Sequence, residues 1–133
     1  MAIADRHGLP LACSIASASP HETKLVEDTL AARFTQAKPK RMIGDSAYDS
    51  DGLDQCLRQK HRIHLIAPQR ANRCRRQTQD RRELRRYCRR WKIERLFAWL
   101  HNFRRLVIRW EYHQANFLAM LQLGCLVILL RHL

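Results

Sequence analysis

The chain has 133 residues, enough for one small domain or a piece of a larger one. Its 46% hydrophobic residues suffice for a packed core and exclude wholesale disorder. Lys and Arg number 25 against 12 acids, a net charge of +13, so the expected partner is a polyanion, nucleic acid before others.

The cysteines (13, 56, 74, 88 and 125) are odd in number and nowhere form a Cys-x-x-Cys pair. That pattern argues against a zinc site and a disulfide framework, and fits a reducing cytoplasm. The opening MAIADRHGLPLA lacks a charged-then-apolar signal pattern. The longest apolar run, 117–130, is broken by Gln122 and Gly124 and falls short of the ~20 residues of a membrane span, so no membrane is expected as a partner.

In chain order, residues 2–6 and 9–17 flank the turn signal His7-Gly8 and predict a β-hairpin. The second arm, LPLACSIASA, reads as a strand covered on both faces. The first arm begins at once after Met1, with no preceding element. Ser19 as N-cap, Pro20 at the first helical position and Glu22 of a capping box then predict a helix. Val26, Leu30 and Phe34 form its apolar stripe. His21 reads as part of that helix start. RMIGD at 41–45 is a short strand with Asp45 at its end, where α/β sheets place reactive groups. A plain turn aspartate stays open for Asp45. Asp49, Ser50 or Asp51 can cap the next helix, whose inward face is Leu53, Cys56 and Leu57, whereas Asp45 stands too early to do so. Residues 63–67 form another strand, with His64 on a sheet face, and the strand–helix–strand order predicts a parallel crossover in an α/β layered fold.

Residues 69–82, QRANRCRRQTQDRR, read as a basic loop that is mobile or ordered on binding. From Arg70 to Arg95 twelve basic residues face only Asp80, Glu83 and Glu94, a run that repels itself unless something anionic covers it. Arg70, Arg73, Arg75 and Arg76 are therefore expected on a DNA backbone, with steeply salt-dependent binding.

Residues 86–106, RYCRRWKIERLFAWLHNFRRL, lack Gly and Pro and predict mostly one helix. Tyr87, Arg90, Glu94, Ala98 and His101 fall on one stripe, and Ile93, Leu96, Phe97 and Leu100 on an apolar one. Glu94, a lone acid among cations, is either an intrahelical partner of Arg90 or a metal-binding carboxylate beside phosphate-binding arginines. Trp91 and Trp99 read as core or interface before stacking platforms. An extended link (103–112) leads to a helix over 113–131, apolar all round and so expected beneath the sheet.

These motifs resemble the catalytic domain of bacterial insertion-sequence transposases of the DDE class, over nearly the whole chain. GDSAYDSD at 44–51 is similar to the segment of their second catalytic aspartate, which falls on Asp45. RRWKIERLFAWL at 89–100, followed by FRRL, is similar to the signature of their catalytic glutamate, which falls on Glu94. The Tyr, Arg and Lys of that signature fall on Tyr87, Arg90 and position 101, where His101 replaces Lys and makes a fixed charge titratable. The family's first aspartate lies upstream of the hairpin, and Asp5 does not match it. The resemblance thus implies a single RNase H-like domain over 1–133, a mixed sheet with flanking helices lacking its first strand. The chain is expected to be the C-terminal part of a transposase, with an upstream-encoded N-terminal segment as one partner.

The resemblance also implies two-metal phosphoryl transfer at the ends of double-stranded DNA, with Asp45 and Glu94 as ligands of Mg²⁺ or Mn²⁺, and a homo-oligomer in the synaptic complex. Such ions take hard oxygen donors, which carboxylates supply and cysteines do not. With two carboxylates in place of three, the metal charge is less balanced, and the expectation is a chain that binds DNA without cutting it. The competing expectation is a non-catalytic basic DNA-binding module or a decayed remnant.

Overall fold

The computed structural model describes residues 1–73 and 81–133. Arg75, Arg76 and the middle of the expected basic loop lie outside them. The chain divides into two compact units, one made of Met1–Pro20, Lys24–Phe34 and Trp91–Leu133, the other of His21–Thr23 and Thr35–Arg90.

The first unit starts with the expected hairpin. Strands β1 (Ala2–Ala4) and β2 (Pro10–Cys13) pair antiparallel, Ile3 opposite Ala12. The turn forms because the Asp5 carboxylate accepts from the His7 and Leu9 amides at 2.7 and 2.9 Å, while Gly8 takes φ +83°, which glycine adopts without strain. A Cβ on Gly8 would also come within 3.3 Å of the Lys92 carbonyl oxygen, a tight contact added to the positive φ.

The helix expected from Ser19 begins later. A 3₁₀ turn over Glu22–Leu25 precedes α1 (Val26–Ala31), and the cap at the start of the turn is His21, whose Nδ1 accepts from the Thr23 amide at 3.3 Å. Val26 and Leu30 are buried as expected, whereas Phe34 lies beyond the helix end and is exposed.

The helix expected over most of 86–106 is shorter and interrupted. A 3₁₀ turn covers Arg85–Arg89, α4 runs over Trp91–His101 and α5 over Arg104–Val107. A continuous α-helix would place Arg85 below Arg89 and Arg86 below Arg90, a like-charge spacing that disfavours it. The extended link expected over 103–112 therefore opens with a helical turn, and Ile108 just after it is in extended backbone.

Helix α4 is held by apolar burial. Leu96 and Leu100 are buried with Cys13, Cys125 and Ile128, and Ile93, Trp99 and Phe103 pack against them, while Phe97 faces outward at 41% exposure, off the expected stripe. Arg95 lies between the Trp91 and Trp99 rings, 4.8 and 4.7 Å from their centroids, and donates to the His7 carbonyl. Helix α6 (Gln114–Leu130) approaches closely at Gly124, where a Cβ would meet Leu106 and Leu100 at 3.1 and 3.3 Å. Only one side of α6 is covered: Gly124, Cys125 and Ile128 are buried, but Leu123, Leu126 and Leu130 are about half exposed, contrary to an all-round burial. The Cys125 thiol hydrogen-bonds to that of Cys13, which with burial pushes its pKa up.

In the second unit, β3 (Arg41–Ile43) and β4 (His64–Ile66) pair parallel with Met42 opposite Leu65, as the crossover reading requires. Between them come a 3₁₀ turn at Ser46–Tyr48, helix α2 (Asp51–Cys56) and a π-helical turn over Leu57–His61 that closes at Arg62, a left-handed residue with φ 57°. Ser50 caps α2 by accepting from the Leu53 amide at 3.4 Å. Leu53, Leu57, Ile63, Leu65, Ile66 and Ala67 are buried. A short helix, α3 (Arg81–Leu84), carries Glu83, whose carboxylate pairs with His64 Nε2 at 2.6 Å.

The chain is thus mixed α/β. Among the described residues the antiparallel and parallel pairs are two separate two-stranded sheets, where one mixed sheet was expected. No helix among them is long and apolar enough to cross a membrane.

Candidate functional site

Asp45 stands two residues beyond the end of β3, after Gly44, and caps the turn Ser46–Tyr48: Oδ1 accepts from the Ala47 amide at 2.8 Å. The plain turn role and the reactive position therefore coincide in one residue. The other oxygen, Oδ2, lies 3.9 Å from Arg90 Nη1, with both side chains more than a third exposed, so the pair contributes little stability in itself. Arg90 in turn stands over the Tyr87 ring, 5.9 Å from its centroid. Three of the residues singled out by the sequence, Asp45, Tyr87 and Arg90, are therefore gathered within the second unit.

Gly44 lets this happen. The Tyr48 ring lies against its backbone, and a Cβ on Gly44 would come within 2.9 Å of Tyr48 Cδ2. Burial, then the charges of Glu22 and Asp45, push the Tyr48 hydroxyl up to about 12.

Glu94 and His101 belong to the first unit, at the first and last turns of α4, and both are exposed. An acid in the first turn of a helix also complements its dipole. The stripe expected to run unbroken from Tyr87 to His101 is interrupted before Trp91, so Tyr87 and Arg90 share no α-helix with Glu94.

Arg70 and Arg73 are occupied within the protein. The Arg70 amide donates to Asp49 Oδ2 and its Nε to the Ser46 carbonyl, both at 2.9 Å, and its Nη2 donates to the Ala47 carbonyl. Arg73 bridges Asp49 and Asp51, whose hydrogen bonds and charges raise its pKa, the hydrogen bond to Asp51 foremost. This network was missed in the sequence, which read Asp49 and Asp51 only as helix caps; its signal was two acids one residue apart in a chain with few.

The donor chemistry fits a hard divalent cation in kind. Both carboxylates are solvent-accessible, and Asp45 retains lone pairs beyond its turn hydrogen bond. In number it falls short, since among the described residues no three His, Cys, Asp or Glu side chains gather as a metal cluster.

The described residues thus form an α/β chain with an aspartate two residues beyond a parallel strand and a glutamate on a later helix. The family pattern described as a transposase DDE domain matches residues 1–130, and the chain belongs to that family. It is 31% identical over 134 residues to a Burkholderia cepacia protein assigned as a transposase for insertion sequence element IS402, covering 95% of this chain. The chain spans 59% of that relative's length. No solved structure matches.

Proposed function

We propose that this chain is the Asp45- and Glu94-bearing part of an RNase H-like transposase domain acting on the ends of double-stranded DNA in the cytoplasm. The single observation that carries the reading is the gathering of Asp45, Arg90 and Tyr87 within the family's matched segment. Asp45 and Glu94 would hold Mg²⁺ or Mn²⁺, which when bound supplies activation of water or a 3′-hydroxyl and stabilises the leaving oxygen. Arg90 places a guanidinium beside the Asp45 carboxylate, where it meets a phosphate oxygen as a planar fork. Tyr87 orients Arg90 through its ring. His101 takes the place of a lysine in that signature and offers a ring N–H where the lysine offers a fixed ammonium. Arg75 and Arg76 add backbone contacts.

The chain supplies two carboxylates, and an upstream-encoded transposase segment bearing a third, together with a second protomer in a synaptic complex, would complete the working assembly. The test is DNA binding against salt, cleavage, and Mn²⁺ binding by the purified 133-residue chain. Binding should weaken steeply, with a slope of about −0.9 per phosphate neutralised. Mn²⁺ should bind and be lost in Glu94→Gln, and the DNA should stay uncut. A flat salt response removes the DNA path. Nicking that vanishes in Glu94→Gln overturns the incomplete carboxylate set.

A second reading, a basic DNA-binding module without catalysis, is favoured by the structural use of Asp45 as a turn cap. It requires that Glu94→Gln leave Mn²⁺ affinity unchanged.

A further inference from the structure

The turn that carries Asp45 has only three residues, too few to persist on its own hydrogen bonding. It is held from both ends by side chains. Asp45 satisfies the Ala47 amide at its start, and Arg70 takes the Ser46 and Ala47 carbonyls at 2.9 Å (from Nε) and by a further contact from Nη2. Arg70 is fixed in turn because its own amide donates to Asp49 Oδ2 at 2.9 Å. The Asp49 side chain is 5% exposed and also receives Arg73, which is 13% exposed and reaches on to Asp51. A cavity of about 480 Å³ opens at this network, lined by Asp49, Asp51, Arg70, Ala71, Asn72 and Arg73.

Charge decides what this arrangement is for. Arg70 and Arg73 against Asp49 and Asp51 sum to zero, so the cavity offers a phosphate no net attraction, unlike the surrounding chain. To reach DNA, Arg73 would have to leave two carboxylates, one of them buried, and strand a desolvated charge. We infer that Arg73, anchored by Asp49 and Asp51 and acting through the 70–73 backbone and Arg70, is a positioning residue for the Asp45 carboxylate and not a DNA contact. The inference rests on the proposed reading of Asp45 as a metal ligand. It also removes Arg70 and Arg73 from the set of phosphate arms expected from composition.

The test uses the 133-residue chain with Arg73→Gln, and with Asp51→Asn as a milder variant at a side chain that is 50% exposed, which judges the proposal should Arg73→Gln not fold. Amide exchange at Ala47 and Tyr48 should speed up about tenfold in Arg73→Gln, and less in Asp51→Asn, with the β1 and β2 amides unchanged. Mn²⁺ affinity should drop severalfold in both, and the salt slope of DNA binding should stay as in the parent. Unchanged exchange in a folded variant overturns the clasp, as does unchanged Mn²⁺ affinity with faster exchange. A slope shallower by about 0.9 in Arg73→Gln makes Arg73 a phosphate contact and overturns it as well. Asp45→Asn separates the two readings: if it leaves Mn²⁺ affinity intact, the metal role of Asp45 is what fails, while exchange and slope still judge the clasp.

Discussion

Asp45 and Glu94 are held in place by opposite means. Glu94 rides on an eleven-residue helix whose other face is anchored by Leu96 and Leu100 in an apolar core. Asp45 stands at a three-residue turn kept in shape by side-chain hydrogen bonds and by two arginines locked onto two acids. Burial is non-directional and tolerates change around the helix surface, whereas a polar network depends on each donor and acceptor. The Glu94 side chain should therefore be replaceable without loss of its support, while Asp45 belongs to the support it stands on.

The largest effect that would break this contrast is at the helix anchor. Leu96 is fully buried, and Leu96→Ala should cost about 3 kcal/mol, read as a lowered denaturant midpoint. A cost below about 1 kcal/mol would mean that α4 is not held by its core. Next comes Gly44→Ala, which sets a Cβ 2.9 Å from the Tyr48 ring and should cost about 1–3 kcal/mol by overpacking. Asp45→Ala removes the turn cap and should cost about 1 kcal/mol, with Asp45→Asn nearly restoring stability because its amide oxygen can still accept from Ala47. Equal losses in the two variants would assign the effect to the charge beside Arg90 instead.

The same contrast explains what could be read from the chain alone. The hairpin was legible because Asp5, His7 and Gly8 encode their turn within five residues. The parallel crossover was legible because Ile63, Leu65 and Ile66 have no polar alternative to burial. Propensity failed at 85–90, where arginines good for a helix singly repel one another in series. It failed for α6 too, since a helix with apolar residues on every side does not say which side is covered. Asp45, Arg90 and Tyr87 were legible as motif members. The pairing of Arg73 with Asp49 and Asp51, across more than twenty residues, was hidden because a lopsided charge count suggests solvent or DNA before it suggests a specific internal partner.

Tyr48 gives a pH-dependent handle on the Asp45 side of the comparison. Its pKa in the folded chain, about 12, lies above the ordinary value of 10, so the folded state keeps the proton longer. The resulting stability is fully present below pH 10 and is lost as pH rises toward 12. Because the ring is only half-buried, the loss should be no more than about 1 kcal/mol after solvent screening. Tyr48→Phe should flatten the alkaline limb of the stability curve and remove the late tyrosinate step from the ultraviolet titration.

The smallest expected change in stability is also the most discriminating. Glu94 is exposed, and its helix-dipole contribution is about 0.5 kcal/mol, so Glu94→Gln should melt within a few degrees of the parent. Mn²⁺ affinity should nevertheless fall in that variant, because the amide keeps the shape and loses the anionic donor. The two readouts must part company for a ligand, whereas a structural carboxylate would move both or neither. If Glu94→Gln instead melts as far below the parent as Asp45→Ala, Glu94 is part of its own support, and the division between a helix held by burial and a turn held by polar contacts does not stand.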